Sequence, residues 1–254
     1  MTTAKARADA AKSFFNALHE VGQKPEDAIP VWKGATIGYE AMFKNSLGRS
    51  MSDKVKIDSL WEMVWNEAQH PMAEIAMKAM AVGDTDNMGL RPKEEVLLWL
   101  RAFVALDYKT LVVLQRELGM NTAYEYYTNI WEQIALGGLP VHQKILGEGP
   151  IDLEYLGKLG ALFWESIACP YSSETTDDSH YGTIHGCAYW ENMKAMFGEE
   201  EARSMTAKIL PPCSINYYDT ILKELGVEDE FRADMTKFIC VGDDVCTQNF
   251  HKKK

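Results

Sequence analysis

Between Pro92 and Gly119 the middle of the segment is almost wholly apolar, with a polar strip read through Glu94, Arg101, Asp107 and Gln115. Proline at a first helical position and glycine just past the last one bracket a helix over 92–118. A helix that is apolar almost all round has no face to offer solvent, so other elements must surround it. The chain must therefore build a layered helical body around this segment. Two neighbours fit that need. Ser52 can cap a helix in which Ile57, Leu60, Trp61, Val64, Trp65 and Ala68 share one face. Pro71 disfavours helix at His70 and ends it there. A further helix over 122–136 carries Tyr124, Tyr127, Ile130, Trp131 and Ile134.

Gly137-Gly138-Leu139-Pro140 reads as the end of that helix, and Gly147-Glu148-Gly149-Pro150 as a second break. They divide the chain into a helical region, 1–150, and a Cys-bearing α+β region, 151–254, which can also be one continuous domain. In the second region a strand is expected over 159–168, leading into Cys169-Pro170. The polar stretch 172–181 reads as a loop. Helices are expected over 188–197, 199–208 and 214–225. A hairpin around Gly242-Asp243-Asp244 is expected within 235–250. The fold class is thus α+β, mostly helical, with a small antiparallel sheet in the C-terminal part.

Charge narrows the partners. The 254 residues carry 26 Lys and Arg against 37 Asp and Glu, a net charge of −11. Binding nucleic acid or anionic membrane needs clustered basic residues, and only the terminal Lys252-Lys253-Lys254 offers them. No segment reaches the roughly 18 apolar residues of a membrane helix. A soluble, cytoplasmic protein with a small-molecule partner is expected, with homo-oligomerisation left open.

Chemistry concentrates at the C-terminal end. All five cysteines, Cys169, Cys187, Cys213, Cys240 and Cys246, lie in the last third, and an odd number excludes full internal pairing. His180, His185 and Cys187 stand close together after the polar stretch, where a thiol can sit beside a base, as a Cys nucleophile requires. All three types also ligate soft or borderline metals. A turn at Gly242-Asp243 would bring Cys240 and Cys246 together as a thiol pair, although two small buried side chains are an equal reading. Two earlier motifs are weaker. Glu67 and His70 have a di-iron carboxylate spacing with no second copy, and Asp84 to Glu95 half-matches a calcium loop but puts Met88 at a ligand position.

Three blocks carry a resemblance: Cys169-Pro170-Tyr171, Cys213-Ser214-Ile215-Asn216-Tyr217-Tyr218, and Gly242-Asp243-Asp244-Val245-Cys246 with Phe250. In that order they resemble the L-2-amino-thiazoline-4-carboxylic acid hydrolase family. The last block is also similar to the four-vinyl-reductase-type small-molecule-binding domain, which can hold zinc through Cys ligands. The likeness covers about residues 155–251. Asn216 stands where an acidic residue is expected, the stretch between the first two blocks is longer, and Cys240 is extra. The resemblance implies a hydrolase acting on a C–N or C–S bond of a cyclic amidine or thiazoline-like substrate. Cys169 would be the nucleophile, His185 the general base and Cys213 a further catalytic or wall residue. Trp164, Trp190 and Asn216 would bind substrate, and Cys187, Cys240 and Cys246 would be ligands if zinc is present. The alternative it implies is a non-catalytic binding or sensor protein with Cys-ligated zinc.

Overall fold

A computed structural model describes residues 4–20, 22–86 and 88–254. Among them the chain forms eleven α-helices and one antiparallel sheet. The helices are α1 (Ala4–Glu20), α2 (Pro25–Ile37), α3 (Tyr39–Gly48), α4 (Lys54–Glu67), α5 (Glu74–Val82), α6 (Pro92–Leu118), α7 (Met120–Leu146), α8 (Leu153–Ser166), α9 (Ala188–Phe197), α10 (Glu199–Thr206) and α11 (Leu210–Glu224). The strands are β1 (Tyr171–Thr175), β2 (Ser179–Ile184), β3 (Phe231–Asp234) and β4 (Cys246–Lys252), in the order β1-β2-β4-β3. The fold class is the expected one.

Helix α6 is the axis of the body. It has the boundaries the sequence implies, and its side chains from Val96 to Leu106 are buried apart from Arg101. Helices α2, α4, α5, α7 and α9 all pack against it. The hydroxyl of Thr36 ties α2 to α6 by donating to the carbonyls of Trp32, 2.6 Å, and Trp99, 3.2 Å. Gly119 then reverses the chain in a single residue at φ +82°, a conformation that glycine adopts without a Cβ penalty. One buried apolar cluster runs from Ala10 in α1 to Phe250 in β4, across the expected boundary near residue 150.

Five local expectations change. The helix expected to end at 136 continues to Leu146 with Pro140 inside it. Pro140 removes only the bond to the Leu136 carbonyl, and both residues lie on an exposed face where water replaces it. The segment expected as a strand over 159–168 is helix α8, capped by Asp152, whose carboxylate accepts the Tyr155 N–H at 2.9 Å. The polar stretch 172–181 is not a loop but most of a hairpin, with Thr175 paired to His180 and Tyr171 to Ile184. Within 235–250 only the second arm is a strand. The first arm becomes a 3-10 turn, Ile239–Val241, and β4 pairs instead with β2 and β3. Farther upstream, Asp53 rather than Ser52 caps α4, accepting the Lys56 N–H at 3.0 Å.

Helix α8 lies on the sheet, touching β1, β2 and β4. Its two inward glycines make this approach feasible. A Cβ on Gly157 would fall 2.1 Å from the His180 ring, and one on Gly160 would fall 2.4 Å from the Gln248 amide. His180 is buried and satisfied, with Nε2 bonded to Tyr171 Oη at 2.9 Å and Nδ1 to Thr175 Oγ1 at 2.8 Å.

The two weak upstream motifs have ordinary structural roles. Glu67 pairs with Arg116 at 2.8 Å, and His70 Nδ1 accepts the Met72 N–H at 3.1 Å. In the half-matched calcium loop the Lys33 ammonium donates to the Thr85 carbonyl and to Asp86 Oδ1, 2.8 and 2.7 Å. Asn87 of that loop lies outside the described residues.

Candidate functional site

Where the helical body meets the C-terminal part, the chain forms a cavity of about 490 Å³ that opens to the surface. Ten aromatic residues among the described ones line it. Trp32 comes from α2, Phe103 from α6 and Trp131 from α7, while Phe163 and Trp164 come from α8. Tyr189 and Trp190 stand at the start of α9, Tyr217 and Tyr218 on α11, and Phe238 before the 3-10 turn. The rings support one another, edge to face around Phe103 and at a tilt between Phe163 and Tyr217. Phe103 lies 6.2 Å from both Trp131 and Tyr189, and Phe163 lies 4.8 Å from Tyr217. Such pairs fix ring orientation as well as burying area.

Behind this wall sits a buried carboxylate. Asp107, on the inner strip of α6, accepts hydrogen bonds from Tyr39 at 2.8 Å, from Tyr127 at 2.6 Å and from Tyr189. Burial pushes its carboxyl above the usual range, and the phenol donors pull against that shift. The three tyrosine hydroxyls are raised in turn, by burial first and by the Asp107 charge next. Tyr189 both holds Asp107 and faces the cavity, which links the polar cluster to the wall.

Four thiols also line the cavity: Cys187, Cys213, Cys240 and Cys246. Cys169 lies behind them. It is fully buried, its free thiol donates to the Ile167 carbonyl at 3.7 Å, and it neighbours Cys187. The end of α8 sets its position. The Ala168 N–H bonds to the Glu165 carbonyl and the Cys169 N–H to the Trp164 carbonyl, with Ala168 left-handed at φ +57°. This is a glycine-type helix ending made with alanine. The turn carrying Cys240 is held from several sides. Phe238 N–H donates to Asp243 Oδ2, Ile239 N–H to Cys246 Sγ, and Arg203 to the Cys240 carbonyl at 2.9 Å.

These thiols are not poised as nucleophiles. Contact with Cys169, and then burial, drives Cys187 well above the ordinary thiol range. Burial raises Cys213, and the charges of Asp107 and Glu132 raise it further. Burial pushes Cys240 and Cys246 up to about 12. The thiolate is the reactive form, so the four cavity thiols are neutral at pH 7.

The residues expected to form the site divide accordingly. Trp164 and Trp190 line the cavity with Cys187, Cys213, Cys240 and Cys246. His185 does not join them. It is exposed, and its Nε2 bonds to Ser172 Oγ at 2.6 Å. Asn216 turns to Glu132 Oε1 at 2.8 Å and is not part of the lining. For the expected zinc, no group of three or more His, Cys, Asp and Glu among the described residues is placed to hold a metal ion. Cys187, Cys240 and Cys246 share a wall without forming such a ligand set.

Sequence reasoning missed Asp107 and its tyrosines, and two groups near the mouth. Burial lowers the affinity of His142 for a proton and raises that of Glu165. Asp107 alone had a visible signal, as an acid within an otherwise apolar helix. No helix among the described residues is long and apolar enough to cross a membrane. Compared with protein-family models, with curated proteins and with solved structures, the chain matches none.

Proposed function

We propose that this chain binds a small, mainly apolar, ring-bearing molecule as a non-catalytic binding or sensing protein. The observation that carries this reading is the cavity, about 490 Å³ and lined by ten aromatic residues. Its size is within the range of small-molecule sites, which are mainly apolar with a few placed polar groups. The polar groups here include the thiols, the Tyr189 hydroxyl turned back to Asp107, His142, and the acids Asp27 and Glu165.

A second reading keeps the cavity and makes it a hydrolase site for a C–N or C–S bond in a cyclic amidine or thiazoline-like substrate. It draws on the three Cys blocks of the sequence and on the four thiols in one wall. It needs a thiolate and a base in reach. The cavity thiols are held in their neutral form, and His185 faces solvent. Binding without chemistry is the better supported of the two.

Titration with neutral N-phenylnaphthylamine, whose fluorescence rises in apolar surroundings, tests the reading. Saturable enhancement is expected at one dye per chain. Gly138 supplies a blocking variant: it lines the cavity, and an added Cβ there meets only the His142 ring at an ordinary 3.8 Å. Gly138→Phe should weaken dye binding about tenfold, equivalent to about 1.4 kcal/mol. No enhancement, or equal affinity for the variant, would overturn the proposal.

A further inference from the structure

We infer that the cavity selects a positively charged ligand, an apolar ring system bearing a protonated amine or similar organic cation. This rests on the binding reading above and adds the ligand's charge, which neither the cavity's size nor the three Cys blocks supply. The lining has a one-sided charge inventory. Asp27 and Glu165 are its formally charged residues, and no lysine or arginine among the described residues lines it. The one imidazole, His142, is shifted by burial toward its neutral form and adds no positive charge at pH 7. Glu165 is half-buried, and its carboxyl is raised by burial without any cation contributing. Such a carboxylate gains from an incoming positive charge.

The wall itself favours the same sign. Aromatic faces carry negative quadrupole density and attract cations within about 6 Å of a ring centroid. The deep carboxylate of Asp107 lies behind Tyr189, and together with Glu132 it raises the Cys213 thiol in the wall. Glu191 contributes in the same sense at Cys187. These three acids stand on α6, α7 and α9. Glu132 is paired with Arg49 at 3.2 Å and Glu191 with Lys194 at 3.0 Å, so Asp107 is the one of them without a cationic partner among the described ion pairs. Arg203 lies with its guanidinium 5.2 Å from the Trp190 centroid, but it is outside the lining. Its charge is engaged by Glu199 at 2.6 Å and by the Cys240 carbonyl at 2.9 Å. An anionic ligand, including a carboxylate, would meet acids at the mouth and no cation inside.

Three ligands with one ring frame separate this inference from the reading beneath it: naphthylmethylamine, naphthylmethanol and naphthoic acid, titrated at pH 7 by calorimetry. The neutral alcohol reports the cavity alone. The amine should bind about tenfold tighter than the alcohol, and the acid should bind weakest. Glu165→Gln should cut the amine's advantage over the alcohol several-fold. If the alcohol binds and the amine binds no better, or if the acid is preferred, the charge inference falls and the cavity reading stands. If Glu165→Gln weakens amine and alcohol alike, the inference also falls. If none of the three binds, both are overturned.

Discussion

Asp107 concentrates the conflict between burial and charge in one side chain. It is fully buried, and an uncompensated carboxylate there would be too costly to keep. Tyr39, Tyr127 and Tyr189 compensate it with three donated hydrogen bonds from three separate segments. Its presence was legible in the sequence, as an acid on the polar strip of α6, but its partners lie 68, 20 and 82 residues away and no local pattern names them. Asp107→Asn replaces a charged acceptor by a neutral amide with one acceptor oxygen, and should cost about 2 kcal/mol at pH 7. The pH dependence has a definite sign. The folded-state pKa is raised, so the native chain holds this proton more tightly than the unfolded chain does. The wild type therefore gains stability from this group as pH falls through the folded pKa toward the unfolded one, and the asparagine variant does not. Urea unfolding of both proteins should show a larger difference at pH 4.5 than at pH 7. A difference that shrinks on acidification would contradict the assignment.

At the scale of elements, the helices with clear punctuation were readable and the sheet was not. Pro92 and Gly119 fixed both ends of α6, and Gly198 separates α9 from α10 where the apolar pattern breaks. β2 escaped notice because its inward positions are His180, Gly182 and Ile184, which give no apolar alternation. The segment of α8 reads as a strand in sequence because its apolar run is short, and periodicity alone does not separate a buried strand from a helix at that length. The sites with chemistry were partly legible. The clustering of cysteines pointed to the correct end of the chain, and Trp164 and Trp190 were named from their nearness in sequence to the Cys blocks. His185 falls outside the site because it lies just past the end of β2, where its ring turns to Ser172 Oγ and solvent rather than toward Cys187. The contact of α8 with the sheet has its own test. Gly157→Ala would place a methyl 2.1 Å from the His180 ring, and should destabilise by about 1–3 kcal/mol through overpacking. The effect is read from the urea midpoint. Removing the ring with His180→Ala in the same chain should make the alanine at 157 less costly, whereas additive losses would place the strain elsewhere.

Over the whole molecule, the cavity exists because two dissimilar parts close on each other. The helical body contributes Trp32, Phe103 and Trp131, and the C-terminal part contributes α8, the start of α9, α11 and the Cys240 turn. The buried cluster is continuous across that junction, so the cavity lies within one core rather than in a cleft between independent domains. A ligand filling it would bury apolar surface against the aromatic wall, and burial of apolar surface lowers the heat capacity. Calorimetric titration with naphthylmethanol at several temperatures measures this directly. The account predicts one site per chain and a binding enthalpy that becomes steadily more negative as temperature rises. Heats that do not saturate, more than one equivalent bound, or an enthalpy independent of temperature would contradict a single apolar site.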